Sequence, residues 1–145
     1  MKRRNFVWIM AMAVPSAWAA DSVYTSAFSN LGLSGYDPVA YFVQEAPVKG
    51  LASFELTHEG VDYRFSSERN RSLFQQDPMR YLPQYGGYCA YAVASGYTAK
   101  GDPLAWSVID NKLYLNYSPS VRSRWLKDVT GNIAKAEANW PAVLD

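Results

Sequence analysis

The chain has 145 residues, 49% apolar, 15% aromatic and 19% charged, a composition too apolar for disorder and a length that suits one ordinary domain. A single cysteine, Cys89, and a single histidine, His58, exclude a four-cysteine or mixed cysteine and histidine zinc finger and any disulfide-stapled mini-protein, which need more ligands or thiol pairs. The net charge of +1 gives no footing for nucleic acid or an anionic membrane.

Residues 1–19 read as a secretory signal peptide. Lys2, Arg3 and Arg4 give the positive start and Phe6 to Val14 an uncharged apolar run; Pro15 and Ser16 break it, and Ala17 and Ala19 supply the small residues before a cut after Ala19. The run falls well short of the roughly 20 residues that cross a bilayer, so no stable membrane span is expected after cleavage. Removal takes Lys+Arg from 14 to 11 against 13 Asp+Glu, a net charge of −2, and leaves Met79 as the remaining methionine. The destination is oxidising, the periplasm or the exterior, where a lone thiol forms no internal disulfide.

Residues 20–35 are polar, with scattered Val23, Phe28 and Leu31, and form an ordered lead-in; the folded domain occupies 36–145. Asp37-Pro38 is a helix start, Asp capping and Pro at the first helical position, ahead of the apolar run Val39 to Val43. From Ser53 to Ser66 a hairpin is expected: Phe54, Leu56 and His58 alternate with Glu55, Thr57 and Glu59, Gly60 turns the chain, and Tyr63 and Phe65 alternate with Asp62 and Arg64. A helix capped by Ser67 buries Leu73 and Phe74; Asp77-Pro78 ends it and starts a further turn holding Met79, Tyr81 and Leu82. Gly86-Gly87 opens a short buried helix in YCAYAVASG, with Cys89, Ala92, Val93 and Gly96 at helical spacing.

A second hairpin pairs Trp106, Val108 and Asp110 with Leu113, Leu115 and Tyr117 around Asn111. Ser118-Pro119 starts a helix whose inner face is Val121, Trp125 and Leu126, while Arg122, Arg124 and Lys127 form a solvated basic face. A last helix spans about 132–139 and stops at Trp140-Pro141. No internal repeat, low-complexity tract or linker is visible. Hairpins separated and followed by helices predict a single-domain α+β fold with a small antiparallel sheet built from the two hairpins.

The run VDYRFSSERNRSLFQQDPMRY resembles the YHS domain, whose pattern is an aromatic strand ending in Phe-Cys-Ser, a second Cys four residues on, a helix with a buried Phe, and a closing Pro-x-x-Tyr. Tyr63, Phe65, Ser67, Phe74, Asp77, Pro78 and Tyr81 match, and Asp37-Pro38-Val39 matches the Asp-Pro-Val that often precedes another Cys. The core resemblance covers 37–81; GYDPVAYF, PQYGGYCAYAV, KLYLNY and NWPAVL look like the longer exported bacterial version. The resemblance implies soft-metal binding through cysteines, yet Ala40, Ser66 and Asn70 stand at the three thiol positions.

Three functional classes follow. The first is an exported, non-catalytic binding protein that handles a soft metal, copper above all, through Cys89, His58 and Met79, since thiolate, imidazole and thioether suit Cu(I). Cys89 would lie in the first turn of its helix, where free N–H groups and the helix dipole stabilise negative charge; against this, a free cysteine among alanines is more often a small buried hydrophobe with no reactivity. The second is an interaction module that keeps the YHS fold without metal, binding a periplasmic protein or a small ligand in a groove of Tyr85, Gly86, Gly87, Tyr88, Tyr91 and Tyr97; the glycines would allow a ligand close approach. The third is a Cys-dependent enzyme using Cys89 and His58. No spacing motif assigns catalytic residues.

Overall fold

Period-two alternation and a left-handed residue pair at each tip make the two expected hairpins. In the computed structural model, which describes residues 21–145, β1 (Leu51–His58) pairs antiparallel with β2 (Val61–Phe65), and β3 (Asp102–Ile109) with β4 (Lys112–Asn116). Each hairpin is a two-stranded sheet of its own. The signal peptide and its cleavage point lie outside the described residues.

The described residues form six α-helices beside them: α1 (Ala40–Val43), α2 (Glu68–Gln76), α3 (Pro78–Tyr81), α4 (Ala90–Ala94), α5 (Pro119–Leu126) and α6 (Val129–Asn139). The capping residues sit where the sequence puts them. Ser67 Oγ accepts from Asn70 N (3.1 Å) and Ser118 Oγ from Val121 N (3.2 Å), each satisfying a first-turn N–H that would otherwise lack a partner. Asp37 Oδ1 accepts from Val39 N (2.9 Å) and Ala40 N (3.3 Å), although α1 proper begins at Ala40 rather than at Pro38. The last helix starts earlier than expected, because Asp128 caps it through Gly131 N (3.0 Å).

The element order overturns the expectation of no internal repeat. A 3₁₀ turn, a short helix, a hairpin and two helices occur as Leu33–Gly35, α1, β1, β2, α2, α3, and again as Gln84–Gly87, α4, β3, β4, α5, α6. From the hairpin onward the second copy runs 51 residues behind the first, and a break in strand register recurs at the matching place, between Leu51 and Glu55 and between Asp102 and Trp106. Backbone detail repeats too. Leu33, Ser34 and Gly35 have φ of 55°, 51° and 82°, and Tyr85, Gly86 and Gly87 have 56°, 61° and 81°. The hairpin tips match as well, Glu59-Gly60 at 48° and 80° and Asp110-Asn111 at 50° and 61°.

Each unit has its own core: Val39, Tyr63, Phe65, Phe74 and Tyr81 in the first, and Tyr85, Val93, Tyr114, Trp125 and Ala136 in the second. A third cluster joins them, where Leu33 and Tyr41 pack on Leu113 and Leu115; Tyr41 Oη also donates to Pro103 O (2.8 Å). The result is one compact α+β domain. The lead-in is ordered and touches both units, Gly32 N donating to Asp62 O and Tyr24 N to Gly86 O, both at 2.9 Å. No helix among the described residues is long and apolar enough to cross a membrane.

Candidate functional site

The three positions that the YHS resemblance assigns to thiols meet at one buried carboxylate. Asp37 is fully buried, and its Oδ2 accepts from Ser66 N (2.8 Å), Ser66 Oγ (2.7 Å) and Asn70 Nδ2 (2.8 Å). Its Oδ1 takes the N–H groups of Val39 and Ala40. Local sequence explains the convergence: the Asp37 cap holds the start of α1, β2 delivers Ser66 at its end, and the Ser67 cap orients α2 so that Asn70 faces inward. Five donors satisfy a carboxylate with about four lone-pair sites, so the oxygens have no free direction for a cation.

The second unit carries Cys89 at the place of Asp37. Cys89 Sγ accepts from Ala92 N (3.4 Å) and donates to Asn116 Oδ1 (3.6 Å), a bond that uses the thiol proton. The sulfur therefore caps α4, which begins at Ala90 and not at Gly86-Gly87 as expected. Only 1% of Cys89 is exposed. Asn116 Nδ2 and Trp125 Nε1, both buried in this unit, have no hydrogen-bond partner among the described residues.

The other proposed soft ligands lie in different surroundings. His58 stands edge-on to Phe74 with ring centroids 5.7 Å apart, and its Nε2, buried and without a hydrogen bond, is 4.0 Å from Glu59 Oε1. Met79, 75% exposed, is on α3. Among the described residues, no three His, Cys, Asp or Glu side chains gather as a metal site.

The tyrosines around the glycine pair differ in exposure. Tyr85 and Tyr88 are buried, Tyr91 is half-buried and Tyr97 is exposed. Burial pushes the phenols of Tyr85 and Tyr88 up from their ordinary value, with the Glu137 carboxylate adding to the effect on Tyr85. Gly86 does permit a close approach, but the partner is the chain itself: a Cβ there would strike Ser22 O. Tyr85 and Gly86 contribute instead to a cleft of about 360 Å³ shared with Tyr63, Met79 and Trp140.

A larger cleft, about 440 Å³, opens between the two units. Tyr41, Phe42 and Glu45 at the end of α1 form one wall, and Trp106, Val108, Arg122 and Leu126 of the second unit face them. The sequence suggested a solvated Arg122 and an inward Leu126; the reverse is found. Arg122 Nε donates to Trp106 O (2.7 Å) and Ser107 Oγ (2.9 Å), while Leu126 is exposed. The guanidinium turns inward because two acceptors on β3 lie within its reach, whereas Trp125 already fills the apolar face of the helix. No family model, curated protein or solved structure matches the chain.

Proposed function

We propose that the chain is an exported, non-catalytic binding module of the YHS-like kind, whose metal position is refilled by a self-satisfied hydrogen-bond network. The observation that carries this reading is the convergence of Ala40, Ser66 and Asn70 on Asp37. The resemblance requires three ligand positions scattered over thirty residues to meet at one point, and the Asp37 oxygens accept from all three, with five donors in total. Export is supported by Lys2 to Arg4, the apolar run after them and the alanines before residue 20. The copper reading through Cys89, His58 and Met79 has weaker support, since the thiol is buried as a cap while Met79 is exposed.

Elemental analysis of untagged protein recovered from the periplasm tests the reading. Metal well below one equivalent and an N-terminus at Ala20 are expected. The variant Ala40→Cys/Ser66→Cys/Asn70→Cys should gain about one equivalent of Cu(I), because soft thiolates would then occupy the converging positions. One equivalent of copper in the wild type, lost on Cys89→Ser, would instead establish the soft-metal function.

A further inference from the structure

We infer that the cleft between the two units is a binding site for a small zwitterion, an α-amino acid with an apolar side chain, held by Arg122 and Glu45. The inference rests on the binding-module reading and assigns its ligand class.

The repeat identifies what is unusual about Arg122. Its counterpart in the first unit is Arg71, which lies 3.7 Å from Glu68 and 5.8 Å from the centre of the Phe54 ring, a cation already answered within its own helix. In the second unit Pro119 stands where Glu68 would be, and no carboxylate among the described residues comes within 4.0 Å of Arg122. The side chain is nonetheless fixed. Its two bonds among the described residues use Nε, one to a main-chain carbonyl and one to the buried Ser107 hydroxyl, and toward these residues the two terminal nitrogens are left for a ligand. A guanidinium held at Nε presents a planar fork, the geometry that takes a carboxylate through two parallel bonds.

The rest of the cleft sets the class. Glu45 lines it but makes no ion pair with Arg122, so a positive and a negative group share one cavity without neutralising each other. A simple organic anion would answer Arg122 and be repelled by Glu45, whereas an ammonium beside the carboxylate answers both. Phe42, Trp106, Val108 and Leu126 supply an apolar surface, and Trp106 is braced by Tyr41 at a ring separation of 5.4 Å. The volume of about 440 Å³ falls in the range of small-molecule sites, which span roughly 300–1,000 Å³. Tyr41 is itself held by its bond to Pro103 O, which ties the first unit to the second.

Calorimetric titration with L-phenylalanine, N-acetyl-L-phenylalanine and phenethylamine tests the assignment. L-Phenylalanine should bind saturably, and each analogue, lacking one charge, should bind at least about tenfold more weakly, as removal of a charge-assisted contact predicts. Arg122→Gln and Glu45→Gln should each reproduce the loss for the group they remove. Glu45 is exposed, so its variant reads the site even where Arg122→Gln loosens β3. Absence of saturable binding by the wild type, equal binding of the acetylated analogue, or an unchanged affinity in Glu45→Gln would overturn the inference. None of these outcomes alters the metal content, which tests the parent reading separately.

Discussion

Asp37 shows how one residue combines two roles that the sequence presents separately. As a cap it was legible from Asp-Pro at a helix start, and one oxygen does that work. Its other oxygen gathers Ser66 and Asn70, which no local pattern announces, because the three residues approach only once β2 and α2 have folded. The resemblance to the YHS pattern was the signal that could point there. Asp37→Ala would strip the acceptor from five donors, most of them buried. With about 1–3 kcal/mol for each buried group left unsatisfied, and partial relaxation of the rest, a loss of at least about 3 kcal/mol is expected. Urea unfolding measures it, and a change below about 1 kcal/mol would mean that the network contributes nothing net to stability. Cys89 was the opposite case. Its sequence neighbours suggested an inert buried thiol or a reactive one in the first turn; the sulfur is buried and, because the helix begins later than the glycine pair, serves as the cap.

At the scale of elements, hairpins and caps were the most legible features, because alternation and Ser-x-x or Asp-Pro starts are local. The repeat was hidden because few identities survive in it. Tyr63 and Tyr114, Ser67 and Ser118, Arg71 and Arg122, and Ser72 and Ser123 keep one spacing, but the stretch before the hairpins is offset by one further residue, as Tyr36 and Tyr88 or Ala40 and Ala92 show. What persists is backbone conformation, and a left-handed φ leaves a trace in sequence only where glycine or asparagine occupies it. The first hairpin breaks that rule, since Glu59 holds a φ of 48°. Asparagine tolerates this region far better at the first central position of a two-residue mirror-image turn. Glu59→Asn should therefore stabilise the protein by about 0.5 kcal/mol, and Gly60→Ala, at a φ of 80°, should destabilise it by about 1 kcal/mol or more. Thermal unfolding of the two variants checks both signs, and a destabilised Glu59→Asn would show that the glutamate is held there by something other than the turn.

For the whole molecule, the aromatic excess becomes a pH limit. Burial pushes Tyr63 up from 10.0 to about 12, with Glu59 adding to it, and burial raises Tyr41 and Tyr85 further. A phenol raised in the folded state holds its proton where the unfolded chain has lost it. Its contribution to stability is complete below pH 10, falls as pH rises beyond 10, and is gone above the folded value. Each such group removes up to about 1.4 kcal/mol per pH unit across that window. These three contributions to the pH dependence should be flat from pH 8 to 9.5, and stability should then fall steeply between pH 10 and 12. Tyr63→Phe should lessen the slope by about 1.4 kcal/mol per unit, as urea midpoints across the range would reveal. A tyrosinate absorbance difference between the wild type and Tyr63→Phe that develops well before unfolding would contradict the burial argument, because exposed rings such as Tyr97 and Tyr117 contribute equally to both.

The two-unit architecture raises a further question at the same scale, whether the halves unfold together. Each has its own core, but Leu33 and Tyr41 of the first are packed on Leu113 and Leu115 of the second, and the lead-in hydrogen-bonds to both. Separate unfolding would expose that shared cluster while leaving one half folded. The cost scales with buried apolar area at about 25 cal/mol per Å², and four well-buried side chains make it comparable with the stability of a domain this small. The tryptophans report on this directly, because Trp106, Trp125 and Trp140, the described ones, all lie in the second unit or directly after its last helix. Phe74, fully buried, belongs to the first unit's core, and Phe74→Ala should cost about 3–5 kcal/mol. In the chain beginning at Ala20, coupled halves require the fluorescence midpoint in urea to fall as far as the far-ultraviolet circular dichroism midpoint, although no tryptophan belongs to the core that the substitution hollows. A fluorescence transition left in place while the dichroism curve splits would mean that the repeats behave as independent folding units.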